Sequence, residues 1–517
     1  MPGMLFADLV ATSGEVSSTR SRLAKRDALA ALLGRAEPDD IEILVSYLAG
    51  ETRQRRTGIG WASLRGLPDP ADEPSLTIQE IDAELERVSA LAGPGSAGRR
   101  ADAVGALFGR ATEPEQRFLR GLLSGEIRQG ALDSAMLDAV AAASGVPLAA
   151  VRRAAMLRGV TGPVARAALV EGADAVRAFT LTVGQPIRPM LASSAPDVDA
   201  AFDKIGAGPS AADASIDTKV DGIRIQVHKS GDEIRVFTRS LDEITGRLHD
   251  VEEVSRTLPA DQLILDGEAI TLDETGRPRP FQDTASRTAT QAADDPDEVG
   301  APITPFFFDV LHVDGHDLID LPLRERLDRL DGLVPDAHRT TRVATADPAA
   351  AAEFFAAAVA GGQEGVVVKS LDAPYDAGRR GAAWVKVKPR HTLDLVVLAV
   401  EWGSGRRRGY LSNIHLGARD PAGGFVMLGK TFKGMTDEML AWQTERFTEL
   451  AIEPEKVRDG YVVKVHPEQV VEIAFDGLQR STRYPGGVAL RFARVLRYRD
   501  DKTATEADTI SAVRALL

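Results

Sequence analysis

From residue 1 to about 180, apolar residues recur at three- and four-residue spacing, as in Ile41-Glu42-Ile43-Leu44-Val45-Ser46-Tyr47-Leu48 and from Leu132 to Val140. That is the period of amphipathic helices. Start signals agree: Asp39 and Thr77 precede two of these runs. Thr112-Glu113-Pro114-Glu115 has the form of a capping box, with Thr112 as cap and Glu115 three residues on. Gly93-Pro94-Gly95-Ser96-Ala97-Gly98 reads as a loop between helices, and no repeat of solenoid period is present.

After Phe179 the pattern changes. Gln185-Pro186-Ile187-Arg188-Pro189 interrupts helicity, and the period becomes two. Alternation from Ile216 to Val227 and from Ile234 to Arg239, joined at Ser230-Gly231-Asp232, predicts a hairpin. Further strands are expected at Leu263 to Leu265, Pro305 to Val310, Gly365 to Lys369 and Trp384 to Lys388, with helices at 322–333 and 348–360. This mixture predicts a mostly antiparallel α+β domain. A second shift falls at Pro389-Arg390-His391-Thr392. Beyond it lie short strands at Leu393 to Trp402, Ser412 to Ala418, Phe425 to Thr431, Tyr461 to Val465, Val470 to Phe475 and Phe492 to Tyr498, interrupted by one helix from Asp437 to Leu450. These short strands and a helix in that length suit a small Greek-key barrel of the OB type, with a β-sandwich as the alternative on strand count alone. The expected fold is multidomain: an all-α N-terminal domain (1–185), an α+β domain (186–388) and a C-terminal OB-fold β-barrel (389–517).

Composition narrows the chemistry. The chain has 517 residues, a formal charge of −14, 8 His and no Cys. The length fits about three domains. Absence of Cys excludes disulfides, Cys-liganded zinc, iron–sulfur clusters and a thiol nucleophile. No apolar run approaches the ~20 residues that cross a bilayer, and the N-terminus carries no signal-peptide pattern. No membrane role and a cytoplasmic location are therefore expected. The negative sum looks hostile to nucleic acid, but it is unevenly spread. Residues 1–185 carry 21 basic against 23 acidic side chains, 186–385 carry 20 against 36, and 386–517 carry 21 against 17. The acidity belongs to the middle segment. Its densest run, Asp294-Asp295-Pro296-Asp297-Glu298, is expected on an outer surface away from Lys219.

The sharpest chemical signal is Lys219-Val220-Asp221-Gly222-Ile223-Arg224. On a strand, alternate side chains share a face, so Asp217, Lys219 and Asp221 would point one way. A lysine among carboxylates is commonly a surface ion pair; as a nucleophile it needs burial, cations or metal nearby. Further along come Leu265-Asp266-Gly267-Glu268, Phe306-Phe307-Phe308-Asp309-Val310-Leu311, Glu364-Gly365-Val366-Val367-Val368-Lys369 and Trp384-Val385-Lys386-Val387-Lys388. Singly, each has a plain reading as buried strand. Together they supply an amine, oxygen ligands for a hard cation, an aromatic face and a basic pair. That inventory suits attack of an amine on a nucleotide phosphate.

This ordered set resembles the motif series of the covalent nucleotidyltransferases, the superfamily of ATP-dependent DNA ligases, RNA ligases and mRNA capping enzymes. The segment from Leu490 through Arg499 to Lys502 resembles the last motif of the ATP-dependent DNA ligases. Gly429-Lys430-Thr431-Phe432-Lys433-Gly434 and Arg483-Tyr484-Pro485-Gly486-Gly487 are similar to their barrel, and Gly125-Glu126-Ile127-Arg128-Gln129-Gly130 to their DNA-binding domain. The resemblance covers the whole chain and is closest to the three-domain bacterial and archaeal type.

The resemblance implies a DNA-binding domain, an adenylation domain and an OB domain acting on nicked duplex DNA, with ATP and Mg²⁺ (or Mn²⁺), as a monomer with protein partners undefined. It implies that Lys219 takes AMP from ATP, that AMP passes to the 5′-phosphate of a nick, and that the 3′-hydroxyl then expels it. Glu268 would contact the nucleotide and a metal, and Glu364 the metal. Arg224 and Arg239, the latter in Phe237-Thr238-Arg239-Ser240, would touch ribose or phosphate. Phe308 would stack on adenine, Asp217 would reach its edge, and Lys386 and Lys388 would neutralise the α-phosphate. Arg380 resembles a further nucleotide contact, with Arg379 as its competitor. Arg491, Arg494, Arg497, Arg499, Asp501 and Lys502 would orient pyrophosphate as the barrel closes about the hinge at Pro389. Arg128, Arg406, Arg407 and Arg408 are expected at DNA. Alternatives are an RNA ligase or other covalent nucleotidyltransferase, and a non-catalytic DNA clamp. An NAD-dependent ligase is disfavoured because that family usually carries a Cys-liganded zinc module.

Overall fold

The computed structural model describes residues 3–54, 57–127, 132–206, 214–289, 302–376, 380–457 and 460–516. Arg128, Arg379 and the acidic run at 294–298 lie outside the described residues, and for Arg380 and Arg406 only the backbone is described.

The N-terminal segment is built from helices including Phe6–Ser18, Arg22–Leu33, Ile41–Leu48, Ile78–Ser89, Ser96–Gly109, Glu113–Leu123, Leu132–Ser144 and Leu148–Arg158. Their inward residues form one core in which Phe6, Leu32, Tyr47 and Phe108 are fully buried. The expected caps form. Thr77 with Glu80, and Thr112 with Glu115, each close a reciprocal box that satisfies donors the helix start leaves open. Asp39 is not a cap; Asp40 stands at that position, and its buried carboxylate accepts from the Met4 N–H at 3.2 Å and from Gln79 at 2.7 Å.

The middle segment contains two five-stranded sheets. The first uses β1 (Leu191–Ala195), β2 (Ala214–Lys219), β8 (Arg342–Thr345), β9 (Gly365–Ser370) and β10 (Arg380–Val387), in the order β1-β10-β9-β2-β8. The second uses β3 (Ile223–Ser230), β4 (Glu233–Thr238), β5 (Gln262–Thr271), β6 (Ile303–Val313) and β7 (His316–Asp317), in the order β4-β3-β5-β6-β7. Pairing is antiparallel throughout both sheets except for β1 with β10. The structure corrects one expectation here. The alternation from Ile216 to Val227 is two strands in different sheets, parted at Val220-Asp221-Gly222. Gly222 permits the crossing because a Cβ there would lie 2.3 Å from the Ala269 carbonyl oxygen. Lys219 thus sits at the seam between the sheets, and Asp221 lies in the crossing rather than on a strand face.

Beyond Pro389 come β11 (His391–Trp402), β12 (Leu411–Arg419), β13 (Phe425–Thr431), β14 (Val462–Lys464), β15 (Val470–Phe475), β16 (Gly477–Arg480), β17 (Val488–Arg491) and β18 (Arg494–Tyr498), with a helix over Asp437–Glu449. The main sheet runs β13-β12-β11-β15-β18, with β14 on β11 and a separate β16-β17 ladder. Among the described residues the sheet is not closed into a barrel by a ladder. Its two ends approach through one backbone bond, from the Val495 N–H to the Lys433 carbonyl at 2.9 Å. The strand expected over Phe492 to Tyr498 is broken, because Phe492 adopts φ +56, outside the extended region.

Candidate active site

The seam between the two sheets frames a cavity of about 260 Å³. Lys219 enters it from the end of β2. Its ammonium pairs with Glu364, whose backbone N–H donates to the Lys219 carbonyl at 3.0 Å just before β9 begins. Lys388, following β10, pairs with the other oxygen of Glu364 and stands 3.5 Å from Asp476. Burial pushes the Glu364 carboxyl up, but the ammonium groups of Lys219 and Lys388 outweigh it and hold the group below its usual range. Glu364 is therefore a carboxylate fixed between two cations.

Glu268 lies across the cavity on β5, opposite Arg224 in the ladder. It accepts one bond, from the Gly222 N–H at 3.3 Å. Burial dominates and pushes its carboxyl up to about 7, although Lys219 and Arg224 pull the other way.

The base of the cavity is aromatic. Phe308 on β6 and Trp384 on β10 meet edge to face, with centroids 5.9 Å apart. The Lys369 ammonium lies 4.7 Å from each ring centroid and pairs with the buried Asp217 carboxylate. Arg224 faces the same rings, but its guanidinium is committed. It donates to both Asp266 oxygens at 2.9 and 2.6 Å and to the Met190 carbonyl at 2.7 Å. Tyr375 completes the ring of bonds, donating to Asp266 at 2.6 Å and accepting from the Met190 N–H at 3.0 Å. Arg239 is exposed and lines both this cavity and a second one of about 920 Å³ between the helical segment and the loop at 239–242. Lys386 reaches the cavity from β10. Arg380 opens β10 opposite Leu191, itself a cavity residue.

The structure divides the C-terminal basic cluster. Arg491 crosses to the middle segment and pairs with Asp221 at 2.7 Å, its guanidinium 5.4 Å from the Phe281 centroid. Arg494 pairs with Asp476 at 3.4 Å, beside Lys388. The rest stay within their own sheet. Arg497 pairs with Glu472 at 2.7 Å, Arg499 with Asp394 and Asp501, and Lys502 with Asp394. The bonds to Arg499 hold Asp501 below the usual carboxylate range. A single pyrophosphate-facing cluster is thus not what the fold assembles; Arg491 and Arg494 approach the seam, and the others lock β11, β15 and the chain after β18. Arg407 and Arg408 stand in the tight loop before β12.

Sequence reasoning gave no role to Lys369, Asp266, Tyr375 or Trp384. Lys369 had a signal: Val367 and Lys369 alternate on β9 and both line the cavity. The Arg491–Asp221 pair, 270 positions apart in sequence, had none.

One amine held between a fixed carboxylate and cations, above an aromatic floor, is equipped for displacement at a nucleotide phosphate. Comparison with known proteins decides the family. The family described as ATP dependent DNA ligase domain matches residues 189–388, ATP dependent DNA ligase C terminal region matches 407–502, and DNA ligase N terminus matches 62–141. A protein named Probable DNA ligase from Beutenbergia cavernae is 68% identical over 99% of both chains. Another of that name from Kineococcus radiotolerans is 63% identical, over 99% of this chain and all of the other. The chain belongs to the ATP-dependent DNA ligase family. It is an enzyme of that class, with the three-domain architecture, and its family uses ATP and a divalent metal, through a lysyl-AMP intermediate. The solved structure Pmar-Lig_Pre shares the fold, with a TM-score of 0.63 and 18% identity over 95% of this ligase and 99% of that chain. Among the described residues, no helix of the ligase is long and apolar enough to cross a membrane.

Proposed function

We propose that the ligase seals nicks in duplex DNA with Lys219 as the nucleophile. The Lys219 amine attacks the α-phosphorus of ATP and pyrophosphate leaves. AMP, held as a phosphoramide, is transferred to the 5′-phosphate at the nick. The 3′-hydroxyl then attacks that phosphate, AMP departs, and the strand is joined. Each step is displacement at phosphorus, so positioning and charge stabilisation supply most of the rate. The observation that carries this reading is the placement of Lys219 against Glu364 and Lys388 at the mouth of an aromatic cavity.

Phe308 and Trp384 would flank adenine, with Asp217 and Lys369 at its edge. Lys386 and Lys388 would neutralise the α-phosphate, and Arg239, exposed at the rim, would meet ribose or phosphate. Arg224 acts as a positioning group, since its donors are committed to Asp266 and Met190. Arg380 is a further nucleotide contact. Arg491 and Arg494 would approach pyrophosphate while the C-terminal domain is closed, whereas Arg497, Asp501 and Lys502 support that domain. Among the described residues no cluster of three or more acidic or His side chains forms a metal site. Oxygen ligands from Glu364 and Glu268 nonetheless fit Mg²⁺, or Mn²⁺, which is commonly held by one or two carboxylates plus substrate phosphates. A bound ion would offset phosphate charge. The helical domain (1–185), with Arg128, and the loop with Arg406, Arg407 and Arg408 would hold DNA, and the domain from 389 would be an OB fold that moves relative to 186–388. The enzyme would work as a cytoplasmic monomer at the nucleoid.

Incubation with α-labelled ATP and Mg²⁺ tests the first step. A labelled protein band is expected, and Lys219→Ala removes it. Label taken from NAD⁺ instead overturns the ATP assignment. Sealing of a nicked DNA duplex but not of a nicked RNA duplex is expected beside it.

A further inference from the structure

The motif Gly429-Lys430-Thr431-Phe432-Lys433-Gly434 has no part in the chemistry above, and its local structure is unusual. Phe432 is 53% exposed immediately after β13; a single exposed apolar ring is ordinary on a protein surface, and what sets this one apart is how it is held. It is not loose. The Thr431 hydroxyl beside it is buried and donates to the Ala493 carbonyl at 2.5 Å. The Arg407 guanidinium lies over the Phe432 ring, 5.5 Å from its centroid, and also donates to the Phe432 carbonyl. Arg407 is itself fixed, because its loop folds tightly on itself. The Gly403 N–H donates to the Tyr410 carbonyl at 2.8 Å, and a Cβ on Gly403 would stand 2.4 Å from the Arg407 carbonyl oxygen. Two positions before Phe432, Lys430 is oriented by Glu401, a buried carboxylate that also accepts from Asn413 and His415 at 2.6 and 2.9 Å. Arg408 and Lys433 add exposed cations on either side. The nearby acid, Glu401, is buried and spent on its donors.

A rigid, exposed ring capped by one cation and bordered by others matches a polyanion with apolar faces between its charges. We propose that Phe432, with Arg407 and Lys430, is a duplex-DNA contact of the C-terminal domain: the ring packs on a deoxyribose face while Arg407 and Lys430 meet phosphates. Charge complementarity favours DNA, whose phosphates match the cations bordering the ring while its sugars offer apolar faces between them. The inference rests on the DNA-ligase reading and adds an apolar anchor to the arginine loop.

The test measures dissociation of the full-length ligase from a nicked duplex over a range of salt. Phe432→Ala is expected to weaken binding about tenfold with the salt slope unchanged, since no phosphate contact is lost. Phe432→Trp retains a ring and is expected to stay near the parent value. Arg407→Ala is expected to weaken binding and to lower the slope of log Kd against log salt by about 1. Circular dichroism and thermal melting of each preparation report that the variant is folded. Parent-like affinity in Phe432→Ala, a loss that Trp does not recover, or an unaltered slope in Arg407→Ala overturns the proposal. A parent protein that neither binds nor seals nicked DNA overturns the ligase reading instead.

Discussion

Glu364 and Glu268 are the same residue type facing the same lysine from two different sheets, and the fold gives them opposite characters. Glu364 precedes β9, next to Gly365, the ladder partner of Lys219, and is bonded to the lysine that follows β10. Two ammonium groups meet one carboxylate there, and attraction outweighs desolvation. Glu268 lies along β5, where it accepts a hydrogen bond from the Gly222 backbone amide. Desolvation wins, and the group is poised near neutrality at about 7. The difference teaches that a carboxylate in a phosphate-transfer site has two separable duties. One fixes the amine in place before substrate arrives. The other is only partly ionised near pH 7 until a cation or the nucleotide compensates it.

Three experiments break or sharpen this contrast. The largest effect is expected from Glu364→Gln, which removes the carboxylate paired with Lys219 and leaves Lys388 only the more distant Asp476. Self-charging with AMP should fall about a hundredfold, a loss on the scale of removing one preorganised electrostatic group. A loss under threefold would mean the ion pair is only a resting contact. Glu268→Gln should cost less, about tenfold in charging, because the neutral amide resembles the protonated acid already present in part. If Glu268→Gln were the more damaging of the two, their roles would be reversed. The smallest effect is on stability. A carboxyl raised from its ordinary value to about 7 favours the folded state at low pH, and that contribution is lost as pH rises from about 4.5 through 7. Without nucleotide or metal, Glu268→Gln should melt a few degrees above the parent at pH 8, with the gap closing by pH 5. A gap that is equal at both pH values would show that the parent carboxyl is not shifted.

Much of this site is legible along the chain. Lys219, Glu268, Phe308, Glu364, Lys386 and Lys388 are each marked by a short strand motif, and the fold gathers all but Lys388 and Glu364 directly around one cavity, with those two bonded at its mouth. The alternating period located most strands of both sheets. It could not separate β2 from β3, because a crossing at Gly222 leaves the period of two undisturbed on either side. It also ran Phe492 into β18, since a single left-handed residue leaves no trace in hydropathy. The basic residues from Arg491 to Lys502 look uniform in sequence, and only their partners sort them.

The sequence by itself determined the chemistry and the family, because strand motifs carry reacting groups at fixed local spacing and local spacing survives folding. It also placed the negative charge in the middle segment and left a basic C-terminal one. The tertiary structure alone decided which groups share charge. It paired Asp221 with Arg491, bound Arg224 to Asp266 and Tyr375, and set Glu268 and Glu364 apart in ionisation. Those outcomes depend on burial and on distances of a few ångströms between residues far apart in the chain. Coulombic and desolvation energies change steeply over that range, and no linear pattern encodes them.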